Sequence, residues 1–313
     1  MKTKIISRNF TINGVSQWLY INQCSRPKGT LLFIHGGPGW SDAPWAGMIC
    51  QRLWGEVNTV HWDQRQCNRS STEMKDQAPL TILQMMNDGL EVCRVLQEEF
   101  QVHRPILIGH SWGAFLSALM VSHASELFHS YIGIGQLVEN RESEPLSLDF
   151  CKRRAQEEGR EDLLIELNSM PNTFFRSVPT LFRQREIVSE LGGELISPAN
   201  QNQWEQWMLQ SPLDYQSDWE KLNRSCENAC SQLWPELIER SLLDEVQRIH
   251  VPITLLQGQM DYFTAVAPIS KWLRNLSCSG QKELIIFDRS AHWPQIEENE
   301  KFARIILQTL TQN

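Results

Sequence analysis

No apolar stretch in the 313 residues approaches the roughly 20 needed to cross a bilayer as a helix. A membrane-spanning helix is therefore not expected. No run of lysine or arginine exceeds the three residues Lys152–Arg154, and 37 acidic residues outnumber 29 basic ones for a formal charge of -8. Such a surface has no general attraction for phosphate backbones or anionic lipid, so neither nucleic acid nor a membrane is expected as a partner. Paired Cys-x-x-Cys spacing is also missing. The eight cysteines (Cys24, Cys50, Cys67, Cys93, Cys151, Cys226, Cys230, Cys278) are scattered, which excludes a disulfide scaffold and leaves reduced, mostly buried thiols as the expectation. Cys226 and Cys230 stand four apart, on one face if the segment is helical, but a metal there would need two further ligands and the sequence offers none nearby. Repeats and low-complexity tracts are absent. The start, MKTKIISRNFTING, turns polar before a signal-type apolar core develops, which sets the cytoplasm as the expected location.

What is present describes an ordinary globular chain, with 41% hydrophobic and 21% charged residues, long enough for one large domain carrying an insertion. The first segment alternates around Asn13-Gly14, the signature of a tight antiparallel hairpin. The runs TLLFIH and VNTVHWD are apolar without alternation, as strands covered on both faces are. A helix is expected from Thr81, which has capping-box spacing to Gln84, to about Phe100. The strand PILIG, the helix WGAFLSALMVSHA and the strand SYIGIG continue a β-α-β alternation that closes as a mainly parallel sheet. From Gln136 to about Asp244 the pattern changes to polar helical segments interrupted by Pro171, Pro179, Pro198, Pro212 and Pro235. The alternation then resumes with VPITLLQG, a helix over 265–276, ELIIFD and a last helix over 297–310. The expected architecture is α/β: a core of residues 1–135 and 245–313 bracketing a helical cap of residues 136–244.

Within this frame Gly109-His110-Ser111-Trp112-Gly113 falls between an apolar strand and an apolar helix. The two glycines relieve crowding at a sharp strand-to-helix turn that would expose Ser111 above the sheet. A serine hydroxyl needs a base to take its proton and a carboxylate to set the base's tautomer. Of eight histidines, only His292 lies in a loop that follows a strand after the cap. Asp261, in the loop after the preceding strand, is the preferred acid; Asp288, four residues before His292, is its rival and Asp244 a third choice. The glycines of HGGPG (35–39) let backbone N–H groups approach a reacting carbonyl, so Gly37 N–H and Trp112 N–H are the candidate oxyanion donors.

With HGGPG, DQRQCNRS, GHSWG, GQMD and AHWP in place, the sequence resembles the prolyl iminopeptidase branch of the α/β-hydrolase superfamily over nearly its whole length. The resemblance implies cleavage after a small N-terminal residue, usually proline, on a short-peptide or other small-molecule substrate, with neither metal nor organic cofactor. Two stretches depart from it. Gln66 and Asn68 stand where the family has glycines, which predicts a stiffer and differently shaped loop. In the cap, WEQWMLQ carries Trp204 and Trp207 followed by Met208, where the family pattern places a glutamate for the substrate's free amine. Glu205, three residues earlier, is turned roughly 60° from that position on a helix and does not point to the same spot; Glu139, Glu142 and Glu144 are the other candidate anchors, and an ester or amide substrate without a free amine is the alternative reading. Trp204, Trp207, Trp219, Trp234 and Tyr215 could wall an apolar pocket, although a helical cap must also bury aromatics of its own. A non-catalytic ligand-binding protein on the same fold is the remaining possibility.

Overall fold

The computed structural model describes residues 3–71, 78–199, 201–211, 213 and 219–311. Asn13 and Gly14 turn an antiparallel hairpin between β1 (Thr3–Ile12) and β2 (Val15–Cys24), with φ of 44° and 78°. These left-handed angles are what a two-residue hairpin turn requires. The apolar runs that follow become β3 (Thr30–Ile34), β4 (Asn58–Asp63), β5 (Ile106–His110) and β6 (Tyr131–Ile134), every residue of which is buried. Later come β7 (Arg248–Ile249), β8 (Ile253–Gly258), β9 (Ser277–Cys278) and β10 (Lys282–Phe287). Eight strands form one sheet in the order β1-β2-β4-β3-β5-β6-β8-β10, antiparallel where β2 meets β1 and β4 and parallel elsewhere. β7 and β9 make a separate short parallel ladder.

The helices are α1 (Ala46–Cys50), α2 (Ile82–Phe100), α3 (Trp112–His123), α4 (Asn140–Glu157), α5 (Glu161–Ser169), α6 (Val178–Glu190), α7 (Gln201–Leu209), α8 (Trp219–Leu237), α9 (Leu242–Glu245), α10 (Val266–Asn275), α11 (Pro294–Glu297) and α12 (Asn299–Thr309). They cover both faces of the sheet. Leu32, Val60 and Leu107 point into one core with Met85, Phe115 and Trp272, whereas Leu31, Phe33 and Ile108 point into another with Ile49, Phe302 and Ile306. That alternation is why the strands read as unbroken apolar runs. Thr81 caps α2, its hydroxyl accepting the Gln84 N–H at 3.2 Å.

Between β6 and β8 lie α4 to α9, and apart from β7 that stretch holds no strand among the described residues. Two sequence expectations need correction. Pro235 does not break the chain but sits inside α8, two residues from its end, where the neighbouring Trp234 Nε1–H donates to Phe175 O at 2.6 Å and anchors the turn. The last helix starts at Asn299, because Pro294 opens the separate short helix α11 ahead of it. Pro212 and Tyr215 lie outside the described residues.

Candidate active site

Ser111 joins the end of β5 to the first residue of α3 with φ 56° and ψ -120°, a conformation that strains any residue with a Cβ. The flanking glycines are there for space. A Cβ on Gly109 would stand 2.4 Å from Gly113 O, and one on Gly113 would stand 2.0 Å from Ile34 O at the end of β3. Since both obstacles are backbone, Gly113→Ala is expected to cost about 3 kcal/mol or more of stability, read as a fall in the urea midpoint. A midpoint unchanged from wild type would show that the turn has room to spare.

Asp261 follows β8 and His292 follows β10, so both loops emerge at the carboxyl ends of parallel strands near the elbow. Asp261 Oδ2 lies 2.9 Å from His292 Nδ1. Burial pushes the Asp261 carboxyl up, but the facing imidazole and hydrogen bonds from Thr264 outweigh it and hold the group below the ordinary carboxylate range. An ionised carboxylate only accepts, so Nδ1 carries the proton that joins the pair. Oδ1 accepts the N–H groups of Phe263 and Thr264, and Oδ2 also accepts from the Thr264 hydroxyl and Gln257 Nε2 at 2.8 Å each. Asp288 is exposed and takes no such position. Asp244 lies in α9.

Ser111 N–H donates to Ile134 O, and the next residue of that strand end, Gly135, touches the imidazole: a Cβ there would stand 2.8 Å from His292 Cε1. Ser111, His292, Gly37 and Trp112 all line one cavity of about 560 Å³. Gly36 lies against the elbow, its Cβ position 3.3 Å from Ser111 Cβ, and Gly37 takes φ 110°. Trp112 is the first residue of α3, where backbone N–H groups lack partners inside the helix.

Gln66 and Asn68 retain glycine-like backbone, with φ of 60° and 43°. Their side chains offset the strain with hydrogen bonds a glycine could not make. Asn68 Nδ2 donates to Asp63, while Gln66 Oε1 accepts from Asn228 and Gln232 on α8. The loop is thus tied to the helical segment above it. Gln64, in the same stretch, accepts from Trp112 Nε1 at 3.0 Å and donates to His35 O, joining two sides of the site.

The structure separates the candidate substrate residues. Trp204 lines the cavity, in edge contact with Trp45 and Trp207, but Trp207 itself is not part of the wall. Glu139 is not part of it either; the residue precedes α4, and its carboxylate accepts from the Ser241 hydroxyl at 3.4 Å. Glu142 pairs with Lys271, and Glu205 accepts from Gln201. Glu144 is fully buried against Arg185, its pKa raised by burial against the pull of that guanidinium. The carboxylates that do reach the cavity are Glu186, Glu194 and Glu227. Glu186 is paired with Arg183. Glu194 is held by the Ser189 hydroxyl at 2.6 Å and Trp293 Nε1 at 3.4 Å, both neutral donors.

Sequence reasoning also passed over His110 and Glu297. His110 sits inside the elbow motif, and burial, then His292, lowers its pKa to about 3. Its ring is therefore neutral, and Nε2–H donates to His292 O at 2.9 Å. Glu297 accepts from Ala291 N–H, one residue before His292, and from Ile196 N–H. His110 could have been suspected from its place beside the serine; nothing local to Glu297 signals its role.

The alpha/beta hydrolase fold family matches residues 29–299. A probable aminopeptidase of Bacillus subtilis is 25% identical over 97% of this chain and 96% of its own length. An esterase of Thermotoga maritima is 22% identical over 91% of this chain, which spans 59% of that longer protein. The crystal structure of proline iminopeptidase from Mycobacterium smegmatis superposes with a TM-score of 0.64 at 16% identity, over 98% of both chains. No helix among the described residues is long and apolar enough to cross a membrane. A match across most of the length, on a largely parallel eight-stranded sheet with a serine elbow after β5, shows that this chain belongs to the alpha/beta hydrolase fold family.

Proposed function

We propose that the chain is a serine hydrolase that cleaves a small amide, peptide or ester through an acyl-enzyme, with residues 136–244 as a helical cap on a core of residues 1–135 and 245–313. The observation that carries this reading is the buried Asp261–His292 pair, 2.9 Å apart, facing the cavity that the strained Ser111 elbow also lines. Ser111 Oγ attacks the carbonyl as His292 Nε2 takes its proton, and Asp261 holds the ring in the Nδ1–H tautomer and stabilises the imidazolium. Gly37 N–H and Trp112 N–H receive the oxyanion. His292 then protonates the leaving group and deprotonates the water that releases the acyl part.

Glu194 supports an aminopeptidase-like substrate. Its carboxylate, held only by neutral donors in the hydrogen bonds described above, together with Glu227 gives the cavity a site for a free amine although Met208 stands where the family resemblance places glutamate. Arg185, also in the wall, is engaged by Glu144. A comparison of proline and alanine arylamides with short acyl esters, each free and N-blocked, tests this. Free-amine substrates are expected to lead by about 10- to 100-fold in kcat/KM, the worth of one charge-assisted hydrogen bond. Equal turnover of N-blocked substrates would favour the esterase reading, in which the tryptophan-lined wall alone selects the acyl group.

A further inference from the structure

Cys226 and Cys230 lie one turn apart on α8 with their sulfurs 3.9 Å from one another, and both residues belong to the wall of the cavity that Ser111 lines. Cys226 is half-buried and open to reagents; Cys230 is 2% exposed, and its thiol faces Pro38 O at 3.8 Å, one residue beyond Gly37. Of the other thiols, Cys24, Cys50, Cys67, Cys93 and Cys151 are buried, Cys67 beside this pair with its thiol on Gly39 O at 3.2 Å, and Cys278 is half-buried at β9.

A disulfide is a poor fit for this pair. Residues four apart on a helix hold their Cβ atoms about 5–6 Å apart, whereas a disulfide needs about 3.5–4.5 Å. A bridging atom suits the spacing better: bonds of about 2.3 Å to sulfur, closed at the roughly 100° angle of a pyramidal trivalent centre, set two sulfurs about 3.5 Å apart, a few tenths of an ångström inside the 3.9 Å between this pair. Among the described residues no group of three or more His, Cys, Asp or Glu could hold a metal ion, so the bridging centre must bring its remaining substituent with it.

We propose that Cys226 and Cys230 form a two-thiol site that takes a monosubstituted trivalent arsenical and thereby blocks the cavity. Each sulfur bonds to arsenic, and the two thiol protons leave with the oxide oxygen as one water. Arsenic stays trivalent, so nothing is oxidised or reduced. The organic substituent projects into the space in front of Ser111, and Pro38 O loses its thiol donor.

The probe is phenylarsine oxide added to the full chain. One arsenic per chain should be retained through desalting and through a monothiol wash, be released by a dithiol such as 2,3-dimercaptopropanol, and map to the tryptic peptide of residues 225–240, which carries both cysteines. Cys226→Ser and Cys230→Ser should each lose this retention, and Cys278→Ser should keep it. Fluorophosphonate labelling of the treated protein should slow at least about tenfold and recover with the dithiol. Retention that persists in Cys226→Ser, release by the monothiol, or labelling unaffected by bound arsenical would each overturn the site. Because mapping on the wild-type protein needs no variant to fold and no turnover, a chain that binds arsenic at 225–240 yet never reacts with fluorophosphonate keeps the two-thiol site and refutes the Ser111 mechanism, on which the block of labelling rests.

Discussion

Replacing Ser111 with alanine is expected to lower kcat by about 10⁴- to 10⁶-fold and to abolish fluorophosphonate labelling. What remains would come from oxyanion donors and binding, which act without the nucleophile. The fold should survive. Alanine meets the same φ of 56° that serine does, so the elbow's strain is neither added nor removed. Ser111→Gly separates the two properties: it should be equally inactive yet more stable by about 1 kcal/mol, because glycine takes positive φ without the Cβ penalty. Urea midpoints beside labelling assays check both. Labelling that survives in Ser111→Ala would move the nucleophile elsewhere, and an unchanged midpoint in Ser111→Gly would mean that the elbow stores little strain.

The second large effect is expected at Asp261. Asp261→Asn should reduce kcat by about 10⁴-fold, because an amide can no longer dictate which imidazole nitrogen holds the proton. It should also cost about 2 kcal/mol of stability. The carboxylate accepts from Phe263, Thr264, Gln257 and His292, and an amide NH₂ turned toward any of these leaves buried donors facing one another. The pH dependence has a definite sign. The folded-state pKa of Asp261 lies below its unfolded value. Its stabilising contribution is therefore complete above the unfolded value of about 4 and is lost as pH falls through the lower folded value. The stability gap between wild type and Asp261→Asn should accordingly shrink below about pH 4 and stay constant above it. A gap that widened on acidification would contradict the depressed pKa. Asp288→Asn, at an exposed position, should leave kcat within about twofold of wild type; a large loss there would reopen the choice of acid.

The parts of this site that were legible in the sequence are those whose function demands a particular backbone. Gly109 and Gly113 had to lack side chains because carbonyl oxygens pass within 2.4 Å and 2.0 Å of where Cβ would be. Asn13-Gly14 announced its turn for a similar reason, as did the unbroken apolar runs of β3 to β6. Gln66 and Asn68 misled in part. Read as replacements for glycine they implied a reshaped loop, but the backbone keeps left-handed angles and spends the side chains on ties to Asp63 and α8. The substrate-side residues were the least legible. Glu139 and Trp207 looked suitable by type and position, yet the cavity wall takes Glu194 and Glu227, from a loop and a helix whose local sequence carries no distinguishing pattern.

By itself the amino-acid order determined the strand and helix alternation and the glycine-flanked turn at Ser111, since each of these depends on sterics or periodicity within a few residues. Only the tertiary structure decided which carboxylates face the cavity, that His110 and Glu297 buttress the His292 loop, and that two cysteines of α8 share its wall. Those outcomes depend on how helices pack against loops a hundred or more residues away, and many different side chains satisfy the same local pattern while pointing in different directions.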